Sequence, residues 1–215
     1  MLPGVCCLWK WTIKLTEANA AIRAQNVTAS EVGALLAPHP YMTPERIWDR
    51  LVSPLPMSVV VSEAMDTGSF MEAAILRLAE KRLGIRARQN AKTYTHKTVH
   101  LCATPDALVL GSTLIGPEPV PELVEVKLSG RPEMWREVPI HVEWQVRAQM
   151  ACTGRSTTAV CVLVGAGLRT FIVERDALLE AELLEAVDRF WEINVVGLQR
   201  PLPIPKSEEL VMRIQ

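Results

Sequence analysis

Apolar and polar positions repeat along this chain with two different periods. Between residues 62 and 83, Ala64, Met65, Phe70, Met71, Ala74, Ile75, Leu78 and Leu83 recur at roughly helical spacing. That spacing predicts a helix, with Gly84 as its stop. KTVHLCA at 97–103 alternates and carries β-branched residues, ALVL at 107–110 continues extended after Pro105, and LVEVK at 123–127 alternates again. These three read as strands, the last two joined by a turn-rich connection with Gly111, Gly116, Pro117, Pro119 and Pro121. Residues 143–153 read as a helix ended by Gly154, and TTAVCVLV at 157–164 as a buried strand beside RTFIVE at 169–174. Asp176 is placed to cap a last helix whose apolar face is Leu178, Leu179, Leu183, Leu184, Val187, Phe190 and Trp191. Upstream, SEVGALL reads as a short helix with Ser30 as N-cap, Pro38, Pro40 and Pro44 break the chain, 45–51 is helical again, and 52–58 is a loop. Helix, three strands, helix, two strands, helix predicts an α/β fold, a mixed β-sheet flanked by helices.

With 215 residues, 49% hydrophobic and 22% charged, the chain can bury one sizeable core, so a single domain is expected. It is too apolar and too weakly charged to be disordered. No apolar run approaches the roughly 20 residues that span a bilayer. Lys10 and Lys14 interrupt the apolar start and no clean cleavage site follows, which reads as no secretory leader. Residues 1–20 form an expected N-terminal arm, with Trp9 and Trp11, 21–197 the body, and 198–215 a Pro-rich tail packed on it. The five cysteines, Cys6, Cys7, Cys102, Cys152 and Cys161, are odd in number and lack CxxC spacing. That pattern fits a reducing compartment and gives no disulfide framework and no zinc or iron–sulfur signature. The net charge of −1 excludes a uniformly basic coat but hides strong polarity. From Arg77 to Lys97 there are seven basic residues and one acid, Glu80; from Glu174 to Glu192 there are seven acids and two bases. The basic run reads either as a solvated helix end and loop or as a phosphate-facing edge.

The chemistry concentrates in Pro105-Asp106 and, eighteen residues on, Glu125-Val126-Lys127. Period two points Glu125 and Lys127 to one side of a strand, with Val126 buried on the other. If the two segments pair as a hairpin, two carboxylates and an ammonium converge at one end of the sheet. Two carboxylates are hard oxygen ligands of the kind Mg²⁺ accepts, and a neighbouring Lys can orient an attacking water. Glu72 sits in an otherwise apolar stretch of the first long helix, either as a helix edge or as a third ligand. Gln145, followed by Gln149, lies on the helix after the strands, either as a polar face or as a partner for the Lys or the water.

Taken in order, these strings resemble the lambda-type phage exonucleases, or YqaJ-like viral recombinases, of the PD-(D/E)xK nuclease superfamily. The resemblance runs from about Arg23 to about Trp191. It rests on Arg23 with VTASEVGALL at 27–36, HPYMTPERIW at 39–48, GSFMEAAI at 68–75, TPDALV at 104–109, VEVK at 124–127 and QVRAQMACTG at 145–154. It implies metal ligation by Asp106, Glu125 and the Val126 carbonyl, with Glu72 completing the site directly or through water. The metal would be Mg²⁺, with Mn²⁺ able to substitute. Lys127 would position the attacking water, Gln145 would hold Lys127, and Arg23 and Ser30 would meet the terminal 5′-phosphate. The implied enzyme degrades linear double-stranded DNA from 5′ ends and leaves 3′ single strands for a single-strand annealing partner. It would work as a ring-shaped homotrimer in the cytoplasm, as a phage or prophage protein in a bacterial host or as a bacterial protein. One position departs from the family pattern: Ala107 stands where Gly usually follows the Asp. Two other readings fit the same strings: a restriction-like or Cas4-like nuclease, although the cysteine spacing argues against a cluster, and a catalytically silent DNA-binding subunit on the same scaffold.

Overall fold

The computed structural model describes residues 16–53, 63–113 and 119–202. Five strands form the main sheet: β2 (Ile85–Gln89), β5 (Ala107–Ser112), β6 (Leu123–Ser129), β7 (Thr157–Val164) and β8 (Gly167–Glu174), in the spatial order β2-β5-β6-β7-β8. Only β6 and β7 run parallel; the other pairs are antiparallel. A parallel pair needs a crossover. Here it consists of a 3₁₀ turn, Pro132–Trp135, and helix α5 (Ile140–Thr153). Gly154 ends α5 with φ of +71°, in the left-handed region where a residue without Cβ is favoured.

The period-two strands sort their side chains cleanly. Val124 and Val126 of β6 and Ala159 and Cys161 of β7 pack with Ile75, Leu76 and Ala79 of α4 (Glu63–Leu83). Leu123 of β6 and Val160 and Val162 of β7 pack on the opposite face with Val142, Val146 and Met150 of α5. Glu125 and Lys127 share the parity of Leu123, so both lie on the α5 side. A third cluster joins α5 to α2 (Ala29–Leu36), α3 (Pro44–Val52) and α6 (Ala177–Phe190) through Val32, Ile47, Trp144, Leu183 and Val187. A small second sheet, β1 (Val27–Thr28), β4 (Leu101–Ala103) and β3 (Tyr94–Thr95), lies beside this cluster.

The mixed sheet with flanking helices is as expected, but several elements differ. Only residues 101–103 of the expected strand 97–103 are extended, and they belong to the small sheet. The basic run contains an unexpected strand, β2, whose outward Arg86 and Arg88 are exposed on the sheet's outer edge. Charges on such an edge oppose further strand pairing. Ser30 is not the N-cap of α2. That role belongs to Thr28, in a capping box with Glu31, and Ser30 lies in the first turn. On α4, Phe70 (70% exposed) and Leu78 face outward while Ile75, Leu76 and Ala79 meet the sheet; Leu178 at the start of α6 is likewise exposed. Asp176 caps α6 through the N–H groups of Leu178 and Leu179. α1 (Glu17–Ala24) crosses the expected arm boundary at residue 20, and its buried Asn19 bonds Ala91 and Thr93. Residues 1–15, with Cys6 and Cys7, most of the 52–58 loop, and 203–215 of the tail lie outside the described residues. The tail's start packs on α3, where Arg200 pairs with Asp49 at 3.0 Å and lies over the Trp48 ring. Cys102 and Cys161 are buried free thiols and Cys152 is partly buried; burial pushes Cys102 up to about 11 and Cys161 to about 12. Among the described residues no helix is long and apolar enough to cross a membrane.

α2 and α5 approach so closely that a Cβ on Gly33 would meet the His141 backbone at 3.2 and 3.3 Å. Gly33→Ala gains about 1 kcal/mol of helix propensity and incurs an overpacking cost of about 1–3 kcal/mol. A net loss of up to about 2 kcal/mol is expected in urea unfolding; a net gain would show that the helices are free to separate.

Candidate active site

β5 and β6 pair through only two residue positions, Ala107 with Val124 and Leu108 with Leu123, and then part. β6 continues beyond this fork with β7 alone on its other side. The N–H of Val126, which β5 no longer meets, donates instead to Asp106 Oδ2 at 2.7 Å. Since a residue's N–H and C=O point to the same edge of an extended strand, the Val126 carbonyl opens to the same fork. Asn90, just beyond β2, fixes the other side: its N–H donates to the Asp106 carbonyl at 2.8 Å and its side chain to the Pro105 carbonyl at 2.9 Å. Ala107, at the family's usual Gly position, is fully buried against the α4 side of the sheet. Its φ is not positive, so the methyl fits the strand and leaves Asp106 in place.

Glu125 is 2% exposed and accepts three side-chain hydrogen bonds. Its Oε1 accepts from Lys127 Nζ at 2.6 Å and from Gln145 Nε2 at 2.5 Å, and its Oε2 accepts from Gln149 Nε2 at 2.6 Å. Gln145 Oε1 in turn accepts from Lys127 Nζ at 3.1 Å. The two glutamines are four apart on α5 and therefore share one face. Sequence reading singled out Gln145 and passed over Gln149; their i, i+4 spacing was the available signal. Glu72, from the α4 side, accepts a weak bond from Gln89 Nε2 at 3.4 Å and lines a small crevice with Asp106 and Asn90.

The charges explain the titration behaviour. Burial, followed by the repulsion of Glu125, pushes the Asp106 carboxyl well above the usual carboxylate range. Burial also raises Glu72, with Glu125 adding to the effect and Gln89 opposing it. Burial alone would lower Lys127, but Glu125, Asp106 and Glu72 outweigh it and hold the ammonium above the ordinary lysine value. Three carboxyl groups face one ammonium in a poorly solvated pocket, and two of them, Asp106 and Glu72, are drawn toward protonation for want of further positive charge. A hard divalent cation suits that donor set and that charge. In the present arrangement, among the described residues, no three His, Cys, Asp or Glu side chains stand together as a metal site; Glu125 and Asp106 direct oxygens to protein donors.

A cleft of about 630 Å³ opens beside Lys127 and Gln145, and Arg23 and Ser30 line it too. Arg50 holds that side together: it donates to Glu31 at 2.7 and 2.8 Å, to the Arg23 carbonyl at 2.6 Å and to the Asn26 carbonyl at 2.9 Å. It thereby ties the end of α1 to the start of α2. So seven of the side chains singled out from sequence fall into two adjoining regions. Glu72, Asp106, Glu125, Lys127 and Gln145 surround the fork, and Arg23 and Ser30 line the cleft beside it.

A family model, the YqaJ-like viral recombinase domain, matches residues 20–156, an interval that contains every one of these positions. The chain belongs to the YqaJ-like viral recombinase family. Its fold is that of the lambda-type exonucleases of this family. An alkaline exonuclease, LHK-Exo, from Laribacter hongkongensis superposes with a TM-score of 0.67 at 22% identity, over 85% of this chain and 94% of that one. The structure of LHK-Exo in complex with dAMP gives 0.63 at 21%, over 88% and 95%. A phage-related exonuclease from Haemophilus somnus 129PT gives 0.59 at 10%, over 81% and 96%. Among curated proteins, none matches.

The buried charge at Asp106 carries its own linkage to pH. Asp106 has a folded-state proton affinity above that of the unfolded chain, so its ionised form destabilises the metal-free fold at neutral pH. Asp106→Asn keeps an oxygen for the Val126 N–H and removes the charge. In chelator it is expected to raise the thermal midpoint at pH 7, with the gain shrinking as pH falls through the ordinary Asp range, where both states are protonated. An unchanged midpoint would show that the pocket does not penalise the charge.

Proposed function

We propose that this protein is a metal-dependent exonuclease that degrades linear double-stranded DNA 5′→3′ and leaves 3′ single strands. The observation that supports this reading best is Lys127, ionised and held between Glu125 and Gln145 in a cleft that Arg23 and Ser30 also line. Asp106, Glu125, Glu72 and the Val126 carbonyl are the groups that would hold Mg²⁺, or Mn²⁺ in its place. When bound, the ion supplies Lewis-acid stabilisation of the charge that develops on the phosphate.

The chain's own residues account for the rest. An ammonium has three N–H groups. Glu125 and Gln145 engage two on Lys127, which leaves one to orient a water for in-line attack on phosphorus. Gln145 and Gln149 keep Glu125 from rotating, the Val126 N–H does the same for the Asp106 carboxylate, and Asn90 holds the backbone at Pro105 and Asp106. Arg23, with the first turn of α2 around Ser30, suits a terminal 5′-phosphate, since a guanidinium and the N-terminal end of a helix both favour an anion. The family resemblance extends the reading to a ring-shaped homotrimer and to transfer of the 3′ strands to a single-strand annealing protein in phage-type recombination.

Linear duplex labelled at one end tests this. Hydrolysis is expected with Mg²⁺ and not in chelator, faster from 5′-phosphate than from 5′-hydroxyl ends, with covalently closed circles spared. Rapid cutting of closed circles, or DNA binding with no Mg²⁺-dependent hydrolysis, would sink the exonuclease reading. Lys127→Ala is expected to lower the turnover rate about 10²–10³-fold. Mg²⁺ is expected to raise the thermal midpoint of the wild type and not that of Asp106→Ala; an equal rise in both would place the ion elsewhere.

A further inference from the structure

One part of the cleft remains without a role in that reaction. His39, Tyr41 and His141 line it together with Lys127, Gln145, Arg23 and Ser30. Tyr41 is 71% exposed, yet its backbone is bonded at both polar groups. Its N–H donates to His39 Nδ1 at 3.1 Å, and its carbonyl accepts from the Arg46 guanidinium at 3.1 Å. Pro40 precedes it and limits the approach of the chain further. The ring stands edge-on to His39, with centroids 6.2 Å apart, and to His141, 6.3 Å apart; the two imidazoles meet each other at 5.0 Å. His39 Nδ1 accepts a second N–H, from Met42 at 3.1 Å, so its proton sits on Nε2 and the ring is neutral. Burial holds both imidazoles below the ordinary value, His141 at about 4. The aromatic corner is therefore uncharged, rigid and open.

We propose that Tyr41, buttressed by His39 and His141, is a stacking platform for the base of the 5′-terminal nucleotide. This rests on the exonuclease reading above. If Arg23 and Ser30 receive the terminal phosphate and Lys127 faces the phosphate to be cut, the terminal nucleoside lies between those anchors. Its base then needs a surface within the same cleft. A volume of about 630 Å³ falls within the range of about 300–1,000 Å³ that takes a small ligand. Trp135, the other large ring lining the cleft, is 6% exposed and packed into the core, so its faces are already covered. Tyr41 offers a bare face. Stacking on it is tolerant of sequence, because every base has a π-face, as an enzyme that consumes DNA of any sequence requires. A backbone fixed before binding reduces the entropy lost when the ring it carries is engaged.

The test is binding in chelator, so that no turnover intervenes, of a 5′-phosphorylated duplex with 2-aminopurine as its 5′-terminal base. Quenching of the 2-aminopurine is expected with the wild type and with Tyr41→Phe, which keeps the ring. It is expected to be lost with Tyr41→Ala, with Kd raised about tenfold or more. A duplex whose terminal residue is abasic should bind the wild type as weakly as Tyr41→Ala binds the intact end, and should not respond to that substitution. The Tyr41→Ala loss should be independent of salt, unlike the phosphate contribution. Quenching that survives in Tyr41→Ala, or an equal loss on abasic DNA, overturns the platform and leaves the exonuclease reading standing. Failure of the wild type both to bind 5′-phosphorylated ends and to degrade linear duplex overturns both.

Discussion

The bond from the Val126 N–H to Asp106 is the constraint on which the site depends. A sheet strand that loses its neighbour exposes a row of backbone donors and acceptors, and a buried donor without a partner is costly. Here β5 leaves β6 after two paired positions, and the carboxylate at the entry to β5 takes over the donor that β5 abandoned. The strands can then separate without an orphaned N–H. At the opening they leave lie Asp106, the Glu125–Lys127 pair and the backbone carbonyl of Val126, with Glu72 lining a crevice beside Asp106.

That arrangement sets two demands against each other. Burying Glu125 at 2% exposure is tolerable only because a lysine and two glutamines satisfy its oxygens, since an ion out of water must be both paired and hydrogen-bonded. Asp106 and Glu72 have fewer partners, and their raised proton affinity records the deficit. The fold thus tolerates local electrostatic strain at one end of the sheet, while the apolar clusters on both faces of the strands supply the stability. Such concentration of perturbed groups in one place is what a site built for charge chemistry shows.

Much of this was legible in the sequence because it obeys simple periods. The parity of Glu125 and Lys127 follows from the alternation in LVEVK, and the burial of Val126 on the α4 side follows with it. The caps at Asp176, Gly84 and Gly154 stand at positions with the side chain or backbone freedom the geometry needs. What the sequence hid was non-local. β2 is short, carries two arginines in five residues and lies on an edge, so its alternation is brief and was masked by the basic run around it. Thr28 outcompetes Ser30 as N-cap because Glu31 closes the box and Arg50, nineteen residues later, secures Glu31. Gln149 is polar and looks like a surface residue, and only the strand beneath α5 shows that it is buried against Glu125. Phe70 and Leu178 are apolar and exposed because no element covers their faces.

The close approach of α2 and α5 at Gly33 has a consequence beyond packing. Ser30 rides on one helix and Gln145, which holds Lys127, on the other, so the groups suggested for two successive phosphates are linked through that close contact. Under the proposed reaction their separation works as a ruler. With the end of the polymer seated against one mark, only the first linkage reaches the other, and the increment removed in each cycle is set by how tightly two helices touch at a residue with no side chain.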